Sequence, residues 1–340
     1  MKSASSTGGT AGEMVQAETG AVCTINGRLM DDHPEKALSD PAELRKQLVP
    51  LRVPKLHRFA LPLATDWAMI IAAFALARWF NHPAAYIIAT LFIGTRQHAL
   101  GVLGHDGAHR LGSPRLWLNN ALTQLFVFWP LGTTMSGYKG FHFPHHRFLN
   151  TEQDTEMAYR NLGAPEWDVP RTRNGIAWRF LKDMVGLGAF ESLRLMVAMR
   201  AEKLRHYLGP WLTMAILSGA AIATGNAWIP IMWFAAFFTS FVAVWRLRCW
   251  IEHLGTDDTH RISMPPLMAF IVAPHNAWMH WEHHEWPAIP FWNLPRARQL
   301  ETTTPILSIW ELFRYYGQCP VIKTGQPTLD KSGKSLIGCA

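Results

Sequence analysis

Four apolar runs, arranged as two close pairs, constrain this chain more than any other feature. A helix needs about 20 mostly apolar residues to cross the hydrocarbon of a bilayer. FALPLATDWAMIIAAFALARWF (59–80) and PAAYIIATLFIGTRQHALGVLG (83–104) meet that need, and only Asn81 and His82 separate them. LGPWLTMAILSGAAIATG (208–225) and AWIPIMWFAAFFTSFVAVW (227–245) form the second pair. Pro83 opens one helix and Pro230 lies in the first turn of another, where a missing N–H leaves no bond unmade. Each pair reads as a hairpin that crosses and returns. The expected fold is an all-α integral membrane protein, with four transmembrane helices in two hairpins and a helical cap on one face.

Charge indicates which face. Arg45, Lys46, Arg52, Lys55 and Arg58 precede the first hairpin, Lys203 and Arg205 precede the second, and Arg246 and Arg248 follow it. By the positive-inside rule these flanks, and the cap, face the cytoplasm; a bacterial inner membrane is the expected location. The composition agrees: 49% of residues are hydrophobic and 17% charged, against about 25% charged in a soluble domain. The net charge of +7 comes from residues flanking apolar runs, with no nucleic-acid-binding module among them, so no nucleic-acid partner is expected. Cys23, Cys249, Cys319 and Cys339 form no C-x-x-C pair and read as reduced thiols. Residues 1–55 read as a polar, partly disordered cytoplasmic leader, 56–318 as the membrane domain and 319–340 as a C-terminal tail. WLNNALTQLFVFWPLGTTM (117–135) is long enough to span, but its Asn pair, Gln and Pro130 mark it as interfacial or re-entrant.

That reading places three histidine clusters on one membrane face: HDGAH (105–109), HFPHH (142–146) and HWEHH (280–284). Residues i, i+3 and i+4 are neighbours on a helix, so each cluster can present imidazoles together. A single H-x-x-H-H arises by chance in roughly a few per cent of such chains, and two copies in well under about one in a thousand. All-imidazole donors disfavour Mg and Ca, leaving Fe, Zn, Cu or Ni. A structural zinc site would stop at four ligands, and eight nitrogens suit a pair of ions. A membrane metal carrier would need a polar path through the spans, and these are largely apolar.

HDGAH, HFPHH and HWEHH resemble, in order and spacing, the three histidine boxes of the membrane fatty acid desaturase/hydroxylase superfamily, over roughly residues 60–300. HHRFLNTEQD after the second box, RLRCWIEH at the end of the fourth run and WPAIPFWNLP after the third box fit the same resemblance. It implies a non-haem centre of two Fe ions that activates O2, the co-substrate, and attacks an unactivated C–H bond of a lipid chain. It carries the ligand role to His105, His109, His142, His145, His146, His280, His283 and His284, and adds His253 in WIEHLG. It also implies an external electron donor, a ferredoxin or a cytochrome b5-like protein, for the chain has no iron–sulfur spacing and no GxGxxG fingerprint.

Fatty acyl desaturation is the expected reaction, on a membrane lipid, acyl-ACP, acyl-CoA or acyl-lipid substrate. Hydroxylation or ketolation of a fatty acyl, sphingolipid or carotenoid/isoprenoid substrate is the alternative. Around the boxes, Asp106, Asp154, Glu252, Asp257 and Glu282 are placed to orient metal-bound imidazoles, and Asn276 to hold a metal-bound water. His275 lies off that face and reads as structural. Arg96 and His98 inside the second run, with Trp278, are the candidate substrate contacts.

Overall fold

The computed structural model describes residues 41–163, 167–168, 170, 172–198, 203–253 and 259–316, with two short paired strands, β1 (Thr24–Ile25) and β2 (Arg28–Leu29). Leader residues 1–23, 26–27 and 30–40, Asp257 and the C-terminal tail lie outside the described residues. The protein is mostly helical.

Helix α1 (Pro41–Leu48) runs into a 3-10 turn (Val49–Arg52) and leads to α2 (Leu56–Phe80). At 25 residues, α2 is about 38 Å long, more than the roughly 30 Å of bilayer hydrocarbon. It ends at Asn81, left-handed at φ +44°, and α3 (Pro83–Ala108) begins two residues later. There His82 Nδ1 accepts the Ala84 N–H at 3.2 Å and Pro83 needs no partner, which closes the tight helical hairpin read from the sequence. The remaining long helix runs from Trp228 to His253 as α10 (Trp228–Ala236), a π turn (Phe237–Phe241) and α11 (Val242–His253). Among the described residues, three helices are long and apolar enough to cross a membrane: Leu56–Phe80, Pro83–Ala108 and Trp228–His253.

Between these lie α4 (Leu116–Thr123) with a π turn (Gln124–Phe128), α5 (Met135–Arg147), α6 (Thr155–Leu162), α7 (Arg173–Met184), α8 (Ala189–Ala198) and α9 (Leu208–Ala223). Of the four expected spans, α9 is the short one: its 16 residues rise only about 24 Å. Thr224 and Gly225 end it, with Gly225 at φ +78°. Residues 116–128 form a helical stretch of 8 + 5 residues, about 20 Å, also too short to span. The chain closes with β3 (Ile262–Ser263), α12 (Pro266–Val272), α13 (His280–Glu285), α14 (Leu294–Leu300), β4 (Leu307–Ser308) and α15 (Ile309–Tyr316), β3 pairing parallel with β4.

Close helix contact depends on missing side chains. A Cβ at Gly94 would lie 2.0 Å from Ser240 Oγ and 2.5 Å from the Ala236 carbonyl, so α3 meets the π turn of its neighbour backbone to backbone. Phe59, Ile93, Leu100, Leu103, Val127 and Trp233 fill the core around α3. The opposite faces carry Leu61, Ile71, Leu76, Trp79, Leu212 and Ile216, all exposed, as membrane-facing surfaces require. A second core joins Trp250, Ile251, Val272, Ile309 and Leu312, and a third seats Leu48 and Leu51 beneath Met279, Ile289 and Leu294. Asn293 Nδ2 donates to the Leu51 carbonyl at 2.7 Å, so residues just before α2 support the segment that carries the third histidine box.

Candidate metal centre

Four helix ends converge below the spans. His105 lies in the last turn of α3, and His109 caps that helix. His142, His145 and His146 end α5, His253 ends α11, and His280, His283 and His284 lie on α13. They sort into two groups: His105, His109, His142, His146 and His283 each offer a nitrogen within 4.8 Å of the others, and His145, His253, His280 and His284 do the same. The groups abut, with the His146 and His284 rings stacked 4.3 Å apart at 22°. Each H-x-x-H-H box is split between them. His142 and His146 serve one group and His145 the other; His280 and His284 serve one and His283 the other. On a helix i and i+4 stack in one column while i+3 leans aside, so one box can face two centres at once.

Inward contacts are between Nε2 atoms. His142 Nε2 lies 3.0 Å from His109 Nε2 and 2.9 Å from His146 Nε2, and His283 Nε2 lies 2.9 Å from His146 Nε2. In the other group, His280 Nε2 is 2.7 Å from His253 Nε2 and 3.1 Å from His284 Nε2. Metal–nitrogen bonds of about 2.1 Å put adjacent donors about 3.0 Å apart in octahedral geometry and about 3.4 Å in tetrahedral. The observed spacings suit the former. His105 Nε2 is buried with no hydrogen-bond partner among the described residues, a costly state that a bound cation would relieve. The donor set therefore fits a pair of ions.

The rings are ready to bind cations. Burial first, and then neighbouring histidines, hold His142, His280, His283 and His284 well below the ordinary imidazole range. Burial and Lys139 lower His109 to about 4, and burial with His109 and His145 lowers His146 to about 3. All stay neutral near pH 7, each with a lone pair available. Stability follows from the same shifts. Unfolded histidines take up protons below about pH 6.5, whereas His109 and His146 resist until about 4 and about 3, so acid favours the unfolded chain across that window. Metal-stripped protein is expected to melt at a lower temperature at about pH 5.5 than at about pH 7.5, read by thermal unfolding in chelator.

Carboxylates brace the rings from outside. Asp154 is fully buried and its Oδ1 lies 2.9 Å from His145 Nδ1. The same carboxylate accepts the Asn150 N–H at 2.9 Å and the Glu156 N–H at 2.8 Å, capping α6 while it fixes the ring. Asp106 Oδ1 is 3.4 Å from His105 Nδ1, and its Oδ2 accepts the Phe291 N–H at 2.9 Å. Glu252 Oε1 approaches His280 Nδ1 at 3.6 Å and pairs with Arg248. Glu282 is fully buried inside the third box and engages Arg261 at 2.8 Å and Arg298 at 3.0 Å. Asn276 (φ +58°) donates to the Phe291 carbonyl at 3.0 Å and is in neither histidine group.

Of the candidate substrate contacts, Arg96 is buried against Asp66 at 3.4 Å and stacks over Phe270 at 3.9 Å. His275 Nε2 lies 2.6 Å from the other oxygen of Asp66. Trp278 receives Arg298 at 4.8 Å, and His98 sits edge-on to Phe241 at 6.0 Å. A cavity of about 390 Å³ opens here, lined by Leu61, Met69, Arg96, Phe270, His275 and Trp278. His275 and Asn276 also border a smaller space beside His105, His280 and His283. Asp66, Glu156 and Arg261 were not singled out from sequence. Asp66 carried a signal, a charge in the middle of an apolar run; the other two had none of that kind.

Comparison with known proteins identifies the family. Residues 77–305, well over half of the chain, match the family described as fatty acid desaturase. Dihydrorhizobitoxine desaturase of Bradyrhizobium elkanii is 27% identical over 297 residues, covering 79% of this chain and 82% of that protein. A β-carotene ketolase of Paracoccus sp. (strain N81106 / MBIC 01143) is 26% identical over 266 residues, 72% of this chain and 96% of the ketolase. An sn-1 oleoyl-lipid 12-desaturase of Anabaena variabilis is 34% identical over 76 residues, 22% of this chain and 20% of the other. With this match spanning all three boxes, the chain belongs to the fatty acid desaturase family and is an integral membrane oxidoreductase.

Proposed function

We propose that the nine histidines hold two iron ions and that the protein oxidises an unactivated C–H bond of a lipid-type substrate with O2, by desaturation of a fatty acyl chain. The division of the histidines into adjacent groups of five and four carries this reading. A di-iron centre in that place supplies O2 activation and removal of hydrogen from a methylene, with two electrons from an external ferredoxin or cytochrome b5-like donor.

The protein's own residues do the rest. Asp154 holds His145 through Nδ1 at 2.9 Å, while Asp106 and Glu252 lie 3.4 and 3.6 Å from Nδ1 of His105 and His280, leaving Nε2 for the metal. The cavity between α2, α3 and α12 receives the substrate, with Leu61, Met69 and Phe270 against the chain and the Asp66–Arg96–His275 cluster at its polar end. His275 and Asn276, both at positive φ, form the wall between that cavity and the histidines. Met69→Trp is expected to raise KM severalfold while leaving iron content unchanged, measured by steady-state kinetics and metal analysis. A membrane cap facing the cytoplasm, with α9 and its preceding 3-10 turn (Leu204–Tyr207) completing the second hairpin, accounts for the basic flanks and gives a soluble donor access.

A second reading is supported by the β-carotene ketolase, whose length is covered almost entirely: ketolation or hydroxylation of a carotenoid methylene at the same site. Anaerobically purified protein should contain about two irons per chain, as two histidine groups demand; zinc alone, or a single ion, would sink the proposal. Lipid profiles of cells expressing the wild type or His145→Ala then separate the reactions. New double bonds support desaturation, hydroxylated chains support oxygenation, and altered carotenoids with unchanged acyl lipids support the second reading.

A further inference from the structure

The carboxylates around the histidines can be sorted by the ring nitrogen they meet. Asp106, Asp154 and Glu252 approach Nδ1 atoms, the outward side of the rings. Glu156 does the opposite. Its Oε2 lies 3.4 Å from His145 Nε2 and 4.0 Å from His253 Nε2, both in the four-histidine group. We propose that Glu156 supplies a carboxylate oxygen to the ion held by His145, His253, His280 and His284. That ion then has a mixed imidazole and carboxylate shell, while the ion of the five-histidine group keeps imidazoles alone. The inference rests on the di-iron reading above and assigns within it a donor that no histidine box contains.

Spacing is the first argument. His145 Nδ1 lies 2.9 Å from Asp154, so the opposite ring nitrogen, Nε2, is the one that meets Glu156 Oε2 at 3.4 Å. That separation lies within the spacing of neighbouring donors on one ion, about 3.0–3.4 Å for bonds of about 2.1 Å.

Donor number and charge point the same way. One group offers five nitrogens and the other four, so the second has room for one more donor. Neutral imidazoles compensate none of the charge of two divalent ions. Glu156 adds a negative charge on the metal side of the rings. Its side chain is only 14% exposed, so water screens that charge weakly. The placement is also built. Asp154 accepts the Glu156 N–H at 2.8 Å in the first turn of α6, and Tyr159, one turn on, packs against Phe141 of α5. The residue that aligns His145 therefore aligns the glutamate facing it.

The test is Mössbauer spectroscopy of full-length, anaerobically reduced, 57Fe-loaded protein, with Glu156→Gln as the near-isosteric variant and exposed Glu152→Gln, in the turn just before α6, as the control. Wild type should show two inequivalent ferrous doublets. Glu156→Gln should shift one and leave the other, and should lose one of its two irons to a chelator at least about tenfold faster, as expected for a disturbed metal shell. Glu152→Gln should match the wild type in both measurements. Retention of both doublets and of wild-type release rates in Glu156→Gln would overturn the assignment alone. Wild-type protein without paired iron would overturn the di-iron reading and this assignment with it.

Discussion

Replacing His142 with alanine is expected to reduce substrate oxidation at least about a hundredfold, since even partners one step removed from a metal are worth about 10–100-fold. His142 is the hub of the five-histidine group. Its Nε2 touches both His109 and His146, and its ring meets His105 at 4.6 Å and stacks on Tyr138 at 5.2 Å. It is also 5% exposed, so no water stands ready to replace the lost nitrogen. The variant should keep about one iron per chain, in the group to which it contributes nothing. Iron content and product formation measured on one preparation check this. Wild-type activity in His142→Ala would remove the five-histidine group from the reaction. By contrast, Asp154→Asn leaves every imidazole in place and loses the charge behind His145 with one of the two acceptor oxygens; its effect should fall within that 10–100-fold range, at the other group.

The boxes were legible for a physical reason. A metal needs several donors on one side of a helix, which forces i, i+3 and i+4 spacing on residues that are otherwise uncommon. His253 stands outside that pattern and entered only through family resemblance, yet the structure places its Nε2 2.7 Å from His280 Nε2. The spans were legible where apolar length sufficed, as in α2 and α3. They were less so in α9, where a 3-10 turn before Leu208 and the Thr224–Gly225 turn shorten the regular helix. Glu156 was hidden because its position depends on how α6 folds back on α5, ten residues past His146 by sequence number alone. The second partner of Asp66, besides Arg96, could not be read either: His275 lies 209 positions away, and nothing local links them. Long-range pairing is a property of the fold, and only its local half, the charge inside an apolar run, is written in the sequence.

Arg261→Met is expected to destabilise the fold by on the order of 3–5 kcal/mol, the range for leaving a buried charge without its partner. Most surface substitutions stay within about 0.5 kcal/mol, so the effect stands clear of the background. Arg261 is 4% exposed and reaches in three directions at once. Its Nε meets Glu282 at 2.8 Å, and its Nη1 meets the carboxylate of Glu301 and donates to the Thr304 carbonyl at 2.8 Å. Its Nη2 donates to the carbonyls of Arg298 at 3.0 Å and Glu301 at 2.9 Å. One guanidinium thus ties the strand β3 to α13 and to the chain leaving α14. Removing it strands the fully buried Glu282 between His280 and His283, with Arg298 as its remaining cation among the described residues. The cost therefore falls on the segment that feeds both histidine groups, and loss of iron should accompany the loss of stability. Thermal unfolding in detergent, with iron content read on the same fractions, measures both. Adding Glu282→Gln to Arg261→Met removes the stranded charge and should recover part of the melting temperature, because residues in one network are not additive. An Arg261→Met protein that melts with the wild type would show that Glu282 is carried by Arg298 alone.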